Sequence, residues 1–510
     1  MGPAPDVPAG PTKVIVIGLD SADRRLVERW CDSGDLPVLQ SMRQRGAYGH
    51  LAGFPALGDD ATWASFYTSV SPGQHGRYFW QYLDQGTYEG RPWRFNKSPL
   101  EPFWAVLSQS GLRVAVLDVP KCPLATGLNG IQIADWQVHG RDYLETCSWP
   151  PELAKAVLSR FGDDQTDRAH TDQWLCLLHA LPEAKLAAFR SYLLEGIEKK
   201  TQYACELLEQ GNWDLFLVVF KEAHCIGHQC WHMTESPGQA DSTGGPDDPV
   251  KEVYRALDKA IGEIAKHAGP ETAVIIFSDI GMASNQTAEH FLDRILQRLD
   301  SRLATPLQRA RLAARRMKRR ILSFGRRGEE RDDHPRADRL THQLDHNEIS
   351  GAIRINLAGR EPAGTVLPGA EYEKLCKSLT KELLALRDPS TGERLVESVI
   401  STRDVYPGEN QQRLPDLFAV WAREGPITGA MSPLLGTLTA AAPGYRTGNH
   451  VLGGFYVGVG PAVSPGHHHG SASIMDLGPT IARLLNAPLP DKEGKPVPEL
   501  CGDELRTIRP

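Results

Sequence analysis

The chain has 510 residues, of which 41 % are hydrophobic and 23 % charged, with a formal net charge of −7. That length buries an ample core without covalent staples, and the composition excludes a disordered or fibrous chain. The mildly acidic balance argues against a nucleic-acid polymer as partner.

Residues 1–12 read as a Pro/Gly-rich tail. They lack the apolar run of a signal peptide, and Asp6 stands where a myristoylation pattern needs Ser or Thr. KVIVIGLD, Lys13 to Asp20, is a continuous apolar run ending in an acid, the pattern of a strand buried on both faces of a parallel sheet. Similar runs are RVAVLDVP up to Pro120, WDLFLVVF up to Phe220, AVIIFSD up to Asp279 and GGFYVGVG up to Gly460. Helical patterns over 21–45, 185–210 and 250–267 lie between them. Strands alternating with helices predict an α/β fold, an open, mostly parallel sheet with helices on both faces.

Residues 140–210 and 300–345 read as helical insertions that cap this core. The second contains LATPLQRARLAARRMKRRIL, where Leu303, Leu307, Ala310, Ala314, Met317 and Ile321 give one apolar face. Its arginines are a solvated basic face or a docking surface for an anionic partner. His467–His468–His469, between Pro/Gly signals, read as a surface loop, and 501–510 as a C-terminal tail. No stretch reaches the roughly 20 apolar residues of a membrane span. Nine cysteines, an odd number without C-x-x-C pairs, argue against a disulfide framework and make the cytoplasm the expected compartment.

In an open α/β sheet, ligands bind beyond the carboxyl ends of the strands, so the polar residues after each apolar run carry the functional reading. After WDLFLVVF comes KEAHCIGHQCWH, in which His224 and His228 share one helical face and can reach one ion. Asp20 follows the first strand and Asp279 follows AVIIFS. His450 sits in the Gly-flanked TGNHVLGG before another strand. Together these residues predict a metal centre built on several loops.

The segments VIGLDSAD (16–23), TWASFYTSVSPGQHG (62–76), EAHCIGHQCWH, FSDIGM (277–282), GAIRINLAGREPAG (351–364), LPDLFAVW (414–421), GNHVLGG (448–454) and MDLGPTIARLLNAPLP (475–490) resemble the alkaline phosphatase superfamily. The branch is that of type I phosphodiesterases and nucleotide pyrophosphatases, and the nearest likeness is to predicted phosphohydrolases or phosphomutases. The resemblance implies an alkaline-phosphatase-like catalytic domain over 13–500 and two metal ions, usually zinc, that hold a phosphate ester between them.

Carried over, the first metal site is His224, His228 and His450, with His224 where the family has Asp. Three imidazoles suit Zn²⁺, with Fe, Co, Ni or Mn as alternatives. The second site is Asp20 and Asp279, but Ile280 replaces the family's histidine. Ungapped alignment from His75, Pro72 and Trp63 puts Asp59 at the Thr/Ser nucleophile position. Asp59 is then a third carboxylate of an oxygen-rich site for Mg²⁺, Mn²⁺ or Ca²⁺, or a carboxylate nucleophile, or, with Asp60, a helix cap. If the alignment slips, Thr62 is the nucleophile. Without a hydroxyl nucleophile, one-step attack by metal-activated water is expected. Sulfatase chemistry is disfavoured because no C/S-x-P-x-R motif occurs.

Among lesser candidates, Lys221 and Glu222 flank the histidine turn as a general acid, as supporting groups or as solvated charges. His232 has a supporting or packing role. Arg354 and Asn356, with His346 and Asn347 just upstream, are candidates to bind an anionic or sugar substrate, whereas Arg360 reads as a structural surface arginine. His75 stabilises the turn after the Asp59 helix. The expected function is a cytoplasmic metal-dependent hydrolase of a phosphodiester or nucleotide-type phosphoanhydride. Its partner is a small phosphate ester, with no nucleic-acid polymer and no membrane, and an oligomer is compatible with the sequence. The alternatives are a degenerate relative that binds metal or ligand without turnover, and a metallohydrolase of a non-phosphate substrate.

Overall fold

The computed structural model describes residues 13–93, 101–138, 145–163, 179–234, 248–322, 335–346, 349–422, 427–441, 444 and 446–502. The two tails, 1–12 and nearly all of 501–510, lie outside the described residues, as does Asn347.

Five apolar runs form the parallel heart of a nine-stranded sheet: Thr272–Ser278, Lys13–Leu19, Leu215–Phe220, Val114–Leu117 and Gly130–Ala134, in that spatial order. Every residue of Leu215–Phe220 and Thr272–Ser278 is buried, which is why these strands read as unbroken apolar runs rather than alternations. Cys147–Trp149 closes one edge antiparallel. On the other side Gly454–Val459 and Ala47–Ala52 add antiparallel strands, and Gly466–Ser473 forms the far edge. The histidine triplet thus belongs to an edge strand and not to a loop, because its backbone pairs with Ala47–Ala52.

Helices cover both faces. Helix Glu183–Gln210 places Phe189, Leu193, Ile197 and Leu207 against the sheet, so the described part of 140–210 is built into the layer over one face. Opposite it lies helix Asp59–Thr68, with all ten residues buried. Segment 300–345 joins a second lobe, a four-stranded antiparallel sheet of Thr341–Leu344, Ser350–Ile355, Leu417–Trp421 and Val396–Ser401. Helices Glu289–Leu303 and Ala370–Leu384 pack on it around Phe291, Ile295, Leu296, Leu379 and Trp421.

Helix Pro306–Leu322 is held to this lobe by its arginines. Arg311 pairs with Glu371 at 3.0 Å and Arg316 with Asp338 at 3.4 Å. Leu307 and Met317 are each 60 % exposed, whereas Leu303 and Leu312 pack on the core of the lobe; the expected apolar face is only partly covered, and the arginine pairs help orient the helix. Among the described residues, no helix is long and apolar enough to cross a membrane.

The sheet register positions the site. Leu19 lies opposite both Phe220 and Ser278. The next residues, Asp20, Lys221 and Asp279, therefore leave three adjacent strands at one level of the C-terminal edge.

Candidate active site

Helix Glu222–Thr234 starts at the end of strand Leu215–Phe220 and carries His224 and His228, both buried. His450 comes from strand Gly448–Val451, which pairs antiparallel with Gly281–Ser284. These two elements meet so closely that a Cβ at Gly448 would lie 2.2 Å from the Gly227 carbonyl oxygen. A side chain there would push His450 away from the helix, so Gly448 is required by close approach. The Gly448 carbonyl in turn accepts a hydrogen bond from His228 Nδ1 at 2.8 Å. That bond places the proton on Nδ1 and leaves Nε2 as the lone-pair nitrogen, as a metal ligand needs. Burial, reinforced by the Arg446 charge, pushes the His228 imidazolium well below the usual histidine range, which keeps the ring neutral.

The three rings converge. His228 Nε2 and His224 Nε2 are 3.2 Å apart, and one ligand nitrogen from each of the three histidines lies within 4.8 Å of the others. Asp59, the first residue of helix Asp59–Thr68, completes the group. Its Oδ2 is 3.8 Å from His224 Nε2 and its Oδ1 is 3.7 Å from His450 Nε2. Two ligands each about 2.1 Å from a tetrahedral ion stand about 3.4 Å apart, close to the 3.2 Å between His228 Nε2 and His224 Nε2. The three histidines fit one divalent ion of zinc type, with the Asp59 carboxylate beside two of them.

The helix-cap reading of Asp59 and Asp60 does not hold. Gly58 is the N-cap and no side chain caps the helix amides. Both carboxylates instead face buried cations. Lys121 pairs with Asp59 and stands 3.3 Å from Asp60, while Arg77 bonds Asp60 at 3.1 Å. Burial alone would lower the Lys121 pKa, but the two aspartates outweigh it and hold the ammonium above the ordinary lysine value. Thr62 is three residues further into the helix, and its hydroxyl donates to the Gly58 carbonyl at 2.9 Å. Asp59, not Thr62, faces the histidines.

The other carboxylates sit on the far side. Asp20 Oδ1 accepts from Trp63 Nε1 at 3.2 Å and from the Ser21 hydroxyl at 3.1 Å. Asp279 Oδ1 accepts the Ser21 amide at 2.8 Å. Burial, with the nearby Asp20 charge, drives the Asp279 carboxyl well above the usual carboxylate value, favouring its neutral acid form. Its Oδ2 is buried without a hydrogen-bond partner, which is the one feature on this side that suits a cation. Ile280 is fully buried and offers no donor. Among the described residues the histidine trio is the one group of three His, Cys, Asp or Glu side chains close enough to hold an ion, so Asp20, Asp59 and Asp279 do not converge to that spacing. The residues present therefore do not fit the second ion that the resemblance implies.

Several of these groups escaped the sequence reading. Ser21 ties the two sides together, with its amide on Asp279 and its hydroxyl 3.3 Å from His450 Nδ1. It does so at φ 55°, a left-handed conformation unusual for serine and of the kind that collects at functional sites. Lys121, at φ 56°, follows the strand Val114–Leu117 by four residues, so the strand-end rule would have found it. Lys221 and Glu222 are buried, not solvated, and Lys221 lies 5.7 Å over the Tyr192 ring. His232 is exposed one turn beyond His228 on the same helix, 3.1 Å from the Thr447 hydroxyl. His75 bonds Ser65 at 3.0 Å and holds the turn after the Asp59 helix.

Arg354 and Asn356 lie in the second lobe and are not brought to the cluster. Arg354 donates to Glu361 and to the Gln412 carbonyl, both at 2.8 Å. Asn356 accepts from the Tyr88 hydroxyl at 2.7 Å and donates to the Arg336 and Arg339 carbonyls. Arg354 and Arg360 line a cleft of about 600 Å³ there, but Glu361 and Asp416 already pair with them. Their polarity serves the lobe's own architecture.

The family model of type I phosphodiesterases and nucleotide pyrophosphatases matches residues 14–436. No curated protein matches. Among solved structures, phosphonoacetate hydrolase from Sinorhizobium meliloti 1021, in complex with phosphonoformate, superposes with a TM-score of 0.52 at 14 % identity, over 94 % of this chain and 96 % of that one. Human ectonucleotide pyrophosphatase/phosphodiesterase 5 superposes with a TM-score of 0.50 at 12 % identity, over 95 % of this chain and 97 % of that one. At these identities the likeness is one of fold.

Proposed function

Because the chain belongs to the type I phosphodiesterase/nucleotide pyrophosphatase family, a family of phosphoester hydrolases, we propose that it is a metal-dependent hydrolase of a small phosphodiester or nucleotide-type phosphoanhydride. The observation that carries the metal dependence is the convergence of His224, His228 and His450, with Asp59 beside two of them, at the C-terminal edge of the sheet. A divalent ion bound there supplies a Lewis acid for the phosphoryl oxygen and acidifies water. Zinc is the ion that best suits three imidazoles and one carboxylate.

The chain's own residues do the rest. Gly448 holds the His228 ring in the ligating tautomer, and the Ser21 hydroxyl sits against His450 Nδ1. Lys121 anchors Asp59 in front of the rings. A carboxylate stands where the family carries a hydroxyl, and the Thr62 hydroxyl is bound to Gly58. The reading is therefore a single displacement by water, with inversion at phosphorus, rather than a path through a phosphorylated hydroxyl.

The test is hydrolysis of bis(4-nitrophenyl) phosphate by wild-type protein, by chelated protein with zinc restored, and by His228→Ala. Activity lost on chelation, regained with zinc and absent in the variant supports the reading. Activity that survives chelation, or that His228→Ala retains, overturns it. Tight metal with every phosphodiester silent points to a non-phosphate substrate.

A further inference from the structure

The two halves of the site differ in what they offer a cation. The histidine half presents three ring nitrogens close enough to share one ion, with the Asp59 carboxylate beside His224 and His450. The carboxylate half has Ile280 in the wall and only Asp20 and Asp279 left over, because Asp59 is engaged elsewhere. Lys121 engages it: the buried ammonium pairs with Asp59 and lies 3.3 Å from Asp60. It is not a chance surface contact. Lys121 is 5 % exposed, its backbone is in the left-handed region, and its carbonyl accepts from Arg77, which itself bonds Asp60.

We propose that this centre carries one metal ion per chain and that the Lys121 ammonium stands in for the second cation. This rests on the proposed function, which supplies the first ion. It goes further by assigning the positive charge of the second half to the polypeptide. Lys121 acts through Asp59 and is a positioning residue. Its fixed charge sets the orientation of that carboxylate toward His224 and His450 and compensates Asp59 and Asp60. An ammonium is a point charge with three donors and no open coordination position, so it can compensate a carboxylate but cannot polarise a substrate oxygen as an ion does.

The experiment counts ions. Metal-free wild-type protein is titrated with zinc by calorimetry, and the reloaded protein is analysed for zinc after desalting. The same is done for Lys121→Arg, Lys121→Met and the double variant Lys121→Met/Ile280→His, with thermal melting to show that each is folded. One ion per chain in wild type and in Lys121→Arg, rising to two in the double variant, is the expected result. Two tightly held ions in wild type overturn the inference while leaving the metal-dependent hydrolase intact. No ion in wild type removes the metal reading itself, and the inference with it. If Lys121→Met does not fold, the wild-type count and Lys121→Arg still decide. A double variant that folds and keeps one ion contradicts the exchange of lysine for metal.

Discussion

The histidine half and the carboxylate half lie on the same sheet edge and are equally buried, yet they solve the problem of buried polarity in opposite ways. On one side, the outer nitrogen of His228 bonds a carbonyl and that of His450 meets a hydroxyl, and the inner nitrogens point at each other. Three imidazoles crowd together with Asp59 beside two of them, an arrangement that suits a cation. On the other side, Asp60 already has Arg77 and Lys121, and Asp59 has Lys121. Buried charge must be paired or neutralised. The chain supplies the cations for Asp59 and Asp60; on the proposed reading the histidines are left to a metal. Residue types alone do not separate the halves: both contain metal-type ligands, and only the partners of those ligands differ.

The sharpest way to break this contrast is to remove a histidine. His228→Ala should lose metal and cut phosphodiester turnover by about a thousandfold or more, on the order of 4 kcal/mol of transition-state stabilisation; steady-state kinetics beside metal analysis checks both. A buried lysine outside the site gives the opposite control. Lys200 is fully buried, pairs with Asp118 at 3.1 Å and donates to the Gln137 and Val219 carbonyls. Lys200→Met should destabilise the fold by about 3 kcal/mol by stranding Asp118, while the folded fraction keeps its ion; urea unfolding with metal analysis reads this. Gly448→Ala displaces the strand that carries His450 and disturbs the carbonyl that orients His228. It should weaken zinc affinity by about 10- to 100-fold, the range for groups that hold ligands in place, as measured by competition with a chelator.

Smaller still is the effect of acid. Burial pushes His75 down to about 3 and His346 down to about 4, whereas an unfolded histidine titrates near 6.5. Above pH 6.5 both states are neutral and these groups have no effect. Below it the unfolded chain takes up protons that the folded chain refuses, so stability falls as pH drops from 6.5 toward 4. The slope is about 1.4 kcal/mol per pH unit for each histidine, and urea midpoints across that window measure it. At the bottom of the scale, Arg354→Lys should leave kcat/KM for a phosphodiester unchanged, because that guanidinium is committed to Glu361 and backbone carbonyls.

How much of this was legible in the sequence depends on the range of the interactions. The parallel strands are visible because both of their faces are buried and the residues are continuously apolar. His224 and His228 are visible because four residues on a helix share a face. Asp20 and Asp279 follow from strand ends that the register brings level. His450 was found by its Gly-flanked loop, but Gly448's steric reason appears only when two elements 220 residues apart meet. Asp59 shows the limit most clearly. Its place among the candidates came from alignment, but its partners, His224, His450 and Lys121, are brought to it by a helix, a strand and a loop from elsewhere in the chain. Arg354 and Asn356 misled because polar residues near a strand look the same whether they face a substrate or brace a lobe. Helix Pro306–Leu322 misled differently: its periodicity is real, but arginine pairing with Glu371 and Asp338 decides which side faces the protein.

The most direct measurement is an anomalous-scattering map at the zinc edge, from crystals of protein grown with zinc. The account predicts one peak per chain, about 2.0 to 2.2 Å from the Nε2 atoms of His224 and His228, the coordinating nitrogen of His450 and one Asp59 oxygen, with the Lys121 ammonium still on Asp59 and no peak between Asp20 and Asp279. A map with no peak among the three histidines, or with its main peak on Asp20 and Asp279, would contradict it.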